Sequence, residues 1–145
     1  MSSVSLEQRL VGSLPAGTVE ALLKDPAKLK WREHVKAGTP VPTPWPKAEF
    51  EAFQKVNQAN RVALRKENRP ESEMSALFTA ELEHINELFS HSPNRDLIGA
   101  FEGANYEATG FYRSEMNCLM FTRTDHFCRV CAQSIETVID QYSSR

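Results

Sequence analysis

Four prolines at alternate positions, 40, 42, 44 and 46, place the strongest constraint on what this chain can fold into. Proline lacks the amide hydrogen that helices and central strands need, and it pushes the preceding residue toward extended backbone. Residues 37–46 are therefore expected to form an extended, partly polyproline segment. Such a segment is either a linker or a strap packed on the protein surface, and the apolar Val41 and Trp45 favour the strap.

Helices are predicted on both sides of this segment. Before it, residues 18–24 indicate one or two helical turns, and residues 25–26 (Asp-Pro) fit a helix start. After it, apolar side chains recur at helical spacing over residues 47–68, and residues 68–70 (Asn-Arg-Pro) end the pattern. A second long helix is predicted from Pro70 to about Ser90. Because two or three residues join these two helices, they are expected to form an antiparallel hairpin.

Glycines 99, 103 and 110 interrupt any regular pattern over the next dozen residues. We expect irregular backbone there up to Arg113, with the short apolar stretch 97–101 as a buried strand. Residues 128–142 predict a final helix. The expected fold is mainly α: a helical hairpin at 47–90, an irregular glycine-rich loop region with one or two short strands, and a C-terminal helix, all in one domain spanning 1–145.

Charge and hydropathy exclude several classes of protein. The 145 residues carry a net charge of −2, which provides no basic field for nucleic acid. No apolar run reaches the roughly 18 residues that cross a bilayer. The first eleven residues include Glu7 and Arg9 and do not read as a signal peptide. We therefore expect either a cytoplasmic protein or a chain that begins after, or without, an export signal.

Three cysteines, Cys118, Cys128 and Cys131, lie within 14 positions of one another and allow three interpretations. They could bind zinc together with His126, since a Cys-x-x-Cys pair plus two further ligands makes a zinc knuckle. Residues 128–131 could be a redox pair at a helix start, which in a thioredoxin-like fold also needs a preceding strand. The third interpretation is structural: a disulfide from Cys118 to Cys128 or Cys131, or three buried thiols.

Several ordered stretches resemble the C-terminal end of the bacterial IgA-specific zinc metallopeptidase family. They are residues 99–106 (GAFEGANY), 110–113 (GFYR), 117–120 (NCLM) and 127–131 (FCRVC). Upstream, residues 23–31, 38–45 (GTPVPTPW) and 70–74 (PESEM) are also similar. The resemblance covers roughly residues 22–142. Ser114 and Arg129 stand where the family pattern often has proline, and both changes fall in loops.

The resemblance implies a metzincin-like zinc endopeptidase, in which a His-Glu-x-x-His helix supplies two zinc ligands and the general base. A later tight turn places a methionine beneath the metal as an apolar floor, and Met120 matches that position. The alternative for Met120 is an ordinary core residue. The glycine-rich loop would line one wall of the cleft, with these residues as candidates: Glu102, Tyr106, Tyr112 and Arg113.

No His-Glu-x-x-His occurs in the 145 residues, so we expect no catalytic residue and no zinc ligand for catalysis in this chain. The resulting hypothesis is a C-terminal fragment or degenerate relative of the peptidase, inactive alone, whose family uses zinc and is secreted or periplasmic. Its expected partners are a second copy or a separately encoded catalytic half, with a protein as the parent enzyme's substrate, and neither nucleic acid nor membrane. The alternative is a non-enzymatic interaction module held by a cysteine disulfide or by a zinc site of three cysteines and one histidine.

Overall fold

The computed structural model describes residues 29–104 and 107–143. It contains three helices, α1 (Lys47–Lys66), α2 (Glu71–Ser90) and α3 (Arg129–Ser143), and two strands, β1 (Phe101–Ala104) and β2 (Glu107–Arg113). A single 3-10 turn, Arg32–His34, precedes them. The mainly α architecture expected from the sequence is thereby confirmed. The helical turns predicted at 18–24 and 25–26, together with Tyr106, lie outside the described residues.

Helices α1 and α2 form the predicted antiparallel hairpin. The chain reverses between them at Asn68, which has a left-handed φ of 51°, a conformation that asparagine tolerates better than most residues. Across the hairpin the ring of Phe53 stacks on His84, with centroids 4.0 Å apart. Gln54 donates a hydrogen bond of 3.1 Å to the buried Glu81. Polar side chains therefore share the helix interface with aromatic ones.

The proline-rich segment is a packed strap rather than a linker. Thr43, near its middle, is buried, and its amide donates to the carbonyl of Ala100 at 2.8 Å. The Thr43 hydroxyl donates to Pro40 O at 2.7 Å and accepts from the Ala100 amide at 2.9 Å. Trp45 contacts the rings of Phe50 and Phe89. The strap thus joins the glycine-rich segment to the helical hairpin.

The glycine-rich segment departs from the expected irregular backbone because it forms an antiparallel β-hairpin. Strand β1 pairs with β2, with Phe101 opposite Arg113 and Glu102 opposite Tyr112, and the register shifts between Glu102 and Ala104. Gly103 has a φ of 104°, which the irregular register at that point requires and which glycine adopts without strain. The strand expected at 97–101 therefore begins only at its last residue. Residues 98–100 are buried, but the backbone groups of Gly99 and Ala100 bond to Ser114 and to the strap.

Two apolar clusters form the core. The first joins the start of the described chain to the cysteine region, and its members are Leu29, Trp31, Ile98, Ala100, Tyr112, Cys118, Cys128, Val130 and Cys131. The second lies under the helical hairpin and comprises Ile85, Phe89, Phe101 and Met116. In α3 only the first turn is buried, and every residue from 136 to 143 is exposed. No helix among the described residues is long and apolar enough to span a bilayer.

Candidate functional site

The three cysteines come together in the core. The Sγ atoms of Cys118, Cys128 and Cys131 all lie within 4.8 Å of one another, and each residue is buried. All three are free thiols, so the structure contains the buried-thiol arrangement and not the disulfide that the sequence also allowed. The cluster lies where the loop after β2 meets the first turn of α3.

Backbone amides point at the sulfur atoms of this cysteine cluster. The amide of Cys128 donates to Cys118 Sγ at 3.2 Å, and that of Cys131 donates to Cys128 Sγ at 3.4 Å. Hydrogen bonds from the Cys128 and Cys131 thiols lower the pKa of Cys118, while the bond to Cys118 raises the pKa of Cys131. Of the three groups, Cys118 is therefore the one whose ionisation is favoured, and Cys131 the one whose ionisation is opposed.

Arg113, at the end of β2, is a buried cation beside this cluster. Only 3% of Arg113 is exposed, and its guanidinium carbon lies 4.2 Å from the ring centre of Trp45 and 4.5 Å from that of Phe121. Its Nη1 donates to the carbonyl of Gly103 at 2.5 Å. Burial lowers the pKa of Arg113 to about 9, with an opposing effect of the Cys118 charge, so the group stays protonated at neutral pH. Arg113 therefore balances the thiolate charge from within the core instead of lining an open surface.

Glu102 and Tyr112, two more of the residues predicted for the glycine-rich region, belong to a small polar group at the β-hairpin. The hydroxyl of Tyr112 donates to Glu102 Oε2 at 3.1 Å, and Lys47 of α1 donates to Glu102 Oε1. The Lys47 hydrogen bond holds the pKa of Glu102 below its usual value, and burial raises the pKa of Tyr112. The charged Glu102 carboxylate accepts hydrogen bonds from Tyr112 and Lys47 and so links the β-hairpin to α1.

Met120 lies in a tight turn that follows Cys118. The amides of Phe121 and Thr122 both donate to the carbonyl of Cys118 at 3.0 Å, and the Leu119 amide donates to His126 O at 2.8 Å. The Met120 side chain is 44% exposed. It is therefore not a core methionine among the described residues, in contrast to Met116, which is almost completely buried.

A partly buried ion pair that could not be assigned from the sequence holds this turn against the helical hairpin. Arg123 Nε lies 2.8 Å from Glu81 Oε2, and the guanidinium covers the ring of Phe78. The signal was present in the sequence, because Glu81 interrupts the apolar stripe of α2 between Phe78 and Ile85. A charged residue inside an apolar stripe indicates a buried partner, and that partner is distant in sequence.

The remaining cysteine interpretations can be compared with this geometry. The ring of His126 bonds to Thr124 Oγ1 at 2.7 Å and its side chain is largely exposed, and it is not part of the cysteine cluster. The pair Cys128 and Cys131 does stand at the start of a helix, since Cys128 directly precedes α3 and Cys131 lies in its first turn. An antiparallel hairpin and a loop come before this helix, and not the strand of a βαβ unit. Because both sulfurs are also buried, a redox role toward another protein finds no support.

A family model described as IgA Peptidase M64 matches residues 13–139. The match spans the strap, the helical hairpin, the β-hairpin, the cysteine cluster and most of α3. The chain belongs to the IgA peptidase M64 family. The resemblance inferred from the sequence is thereby confirmed. No curated protein and no solved structure matches the chain.

The catalytic zinc of this metallopeptidase family does not fit the residues present. Within residues 29–104 and 107–143, the cysteine cluster is the one group of three or more His, Cys, Asp or Glu side chains close enough to hold a metal ion. Three buried thiols are a different ligand set from the two histidines of a His-Glu-x-x-His helix, and they leave no carboxylate beside the metal to act as a base. The cysteine cluster therefore has the ligands of a structural metal site and not those of a hydrolytic one.

Proposed function

We propose that this chain is the C-terminal part, or a degenerate relative, of an IgA-peptidase-like zinc endopeptidase, and that it supplies structure to the cleft without supplying reacting groups. The family match over residues 13–139 carries the proposal. Met120 would form the floor beneath a zinc ion bound by a His-Glu-x-x-His segment, and the β-hairpin would form one wall. The chain alone is then inactive, because a zinc peptidase needs metal-bound water and a base to activate it.

The exposure of Met120 supports its assignment as the residue beneath the metal. A methionine needed only for the core of this region would be buried, as Met116 is, because an exposed thioether gains little from folding. The turn around Met120 is also held on several sides, by its own backbone bonds, by the Arg123–Glu81 pair and by the cysteine cluster. A rigid turn that presents an exposed apolar side chain suits a residue that completes a site made by another segment.

Exposed apolar side chains on the outer half of α3 favour the presence of a binding partner. Val138, Ile139 and Tyr142 are exposed apolar side chains in the part of α3, residues 136–143, where every residue is exposed. We propose that a catalytic segment or a second copy of the chain covers this surface. Sedimentation velocity over a range of concentrations tests the second occupant. A shift toward dimers that Ile139→Glu abolishes supports self-association, and a monomer at every concentration contradicts it.

The purified chain, loaded with zinc, is expected to hydrolyse neither immunoglobulin A nor casein faster than a mock preparation from cells without the gene. The physical reason is the absence of a ligand set for a catalytic zinc and of a base beside it. Fragment release is measured by gel and mass spectrometry, with and without a chelator. Hydrolysis that increases with the amount of chain and stops with the chelator would contradict the proposed lack of catalytic groups.

A further inference from the structure

The cysteine cluster has the composition and placement of a structural metal site. Its three sulfurs lie within 4.8 Å of one another. In a tetrahedral zinc site, Zn–S bonds of about 2.3 Å place sulfurs about 3.8 Å apart. The spacing that such a site requires lies within this limit. The thiols are contributed by two separate segments, the turn at Cys118 and the start of α3, so a shared metal would cross-link them.

Two of the three sulfur atoms accept hydrogen bonds from backbone amides. The amides of Cys128 and Cys131 donate to sulfur at 3.2 and 3.4 Å, in the pattern that leaves sulfur as acceptor. Thiolate sulfur accepts such bonds better than a neutral thiol does, because hydrogen bonds to an ionised acceptor are stronger. Amides directed at sulfur would support a metal-bound thiolate in the same way, as groups behind the ligands that hold and orient them.

The hydroxyl oxygen of Ser114 lies beside the cysteine cluster and is a candidate fourth ligand. Ser114 is buried, and its Oγ lies 3.6 Å from Cys128 Sγ. In a tetrahedral site with Zn–S of about 2.3 Å and Zn–O of about 2.0 Å, the sulfur–oxygen separation is about 3.5 Å. The separation of Ser114 Oγ from this one sulfur is close to the value that a hydroxyl ligand at the fourth corner would require. His126, the fourth ligand considered from the sequence, is held at the exposed side of the loop by Thr124.

The charges also balance. A divalent ion with three thiolates carries a net charge of −1, which is costly in a buried place unless a cation lies near. Arg113 is such a cation, since it is buried between two aromatic rings and interacts electrostatically with Cys118. Soft thiolate ligands together with a tetrahedral arrangement select zinc among the common divalent metals.

We propose that Cys118, Cys128 and Cys131, with the Ser114 hydroxyl at the fourth corner, bind one zinc ion that fastens the first turn of α3 to the loop carrying Met120. On binding, each thiol releases its proton to solvent and its sulfur donates an electron pair to the metal, with no change of oxidation state. The site is structural and separate from the catalytic zinc of the family. The proposed zinc site can therefore be tested independently of the proposed role in the peptidase cleft.

Cobalt(II) is the probe, because zinc itself has no visible spectrum. The whole chain is reduced, freed of metal and titrated with Co2+ without oxygen. One Co2+ per chain is expected, with sulfur-to-cobalt charge-transfer absorption and the intense visible bands of a tetrahedral ion, both removed by one equivalent of Zn2+. A spectrum like that of aqueous Co2+ would overturn the proposal without any variant.

Variants identify the ligands. Cys128→Ser is expected to weaken zinc binding by more than about 100-fold, beyond the loss typical of a residue that only supports a ligand. Ser114→Cys is expected to tighten it about tenfold or more, because a fourth thiolate completes an all-cysteine tetrahedral site. His126→Ala is the matched control and should leave affinity and stoichiometry unchanged. Loss of binding in His126→Ala, or tight binding that survives Cys128→Ser in a variant with a wild-type circular dichroism spectrum, would refute the ligand set.

Discussion

Arg113→Ala is expected to lower the free energy of unfolding by about 3–5 kcal/mol, the range seen when one partner of a buried charge pair is removed. The variant loses two aromatic contacts and the hydrogen bond to Gly103, and it leaves the cysteine cluster without its counter-charge. It also leaves a cavity between Trp45 and Phe121. Urea unfolding, followed by circular dichroism and Trp fluorescence, gives the free energy.

Arg113→Lys separates charge from shape in this prediction. The Nε and Nη2 atoms of Arg113 face no oxygen acceptor among the described residues, since the aromatic rings cover the guanidinium plane. An ammonium group keeps the charge but cannot stack between two rings in the same way. We therefore expect Arg113→Lys to recover less than half of the loss. If Arg113→Ala costs under about 1 kcal/mol, or if Arg113→Lys is as stable as the wild type, the assigned role of Arg113 is wrong.

Gly99→Ala is expected to destabilise the fold by about 2–4 kcal/mol, because overpacking a close contact costs about 1–3 kcal/mol and further hydrogen bonds are lost. A Cβ on residue 99 would lie 2.0 Å from Thr43 Oγ1 and 2.9 Å from Thr43 Cβ. Thr43 cannot rotate away without breaking its bonds to Pro40 and Ala100. The strap should therefore separate from the segment before β1, and thermal unfolding with limited proteolysis within residues 37–46 measures this.

Gly38→Ala is the matched control for Gly99→Ala. Gly38 has a φ of 84°, so alanine there is strained, but its Cβ would meet no heavy atom within 4 Å. Backbone strain of this kind costs about 1–2 kcal/mol. Gly99→Ala should be clearly less stable than Gly38→Ala and should be cut faster in the strap. Equal stability of the two variants would show that the strap does not pack on Gly99 as described.

The helices could be predicted from the sequence because their signals are local. Apolar spacing and the break at residues 68–70 placed α1 and α2 within two residues of their observed ends. The buried faces were less predictable. Val56 is one of the apolar side chains that recur at helical spacing in α1, yet it is exposed, while the polar Asn57 beside it is buried. The spacing of apolar residues identifies the apolar stripe of a helix. Tertiary contacts decide which edge of that stripe is buried.

The β-hairpin and the charges of the candidate site could not be predicted locally. Glycines 103 and 110 indicated a broken backbone, yet positive φ values at both positions are accommodated within the hairpin. Arg113 resembled an exposed loop residue, because the residues next to it in the sequence do not indicate that Trp45 and Phe121 enclose it. The cysteine spacing allowed a cluster, but a choice between disulfide and free thiols needed the positions of the three sulfurs.

The central claim is that this chain supplies the architecture of a peptidase cleft and none of its reacting groups. A chimera tests it most directly: an active M64 peptidase whose segment matching residues 99–131 is replaced by that of this chain. We expect chelator-sensitive cleavage of a protein substrate within about tenfold of the parent, abolished when the Glu of the parent's His-Glu-x-x-His is replaced by Gln. A chimera that folds and binds its catalytic zinc, yet cleaves no substrate, would show that this segment does not serve as part of a peptidase cleft.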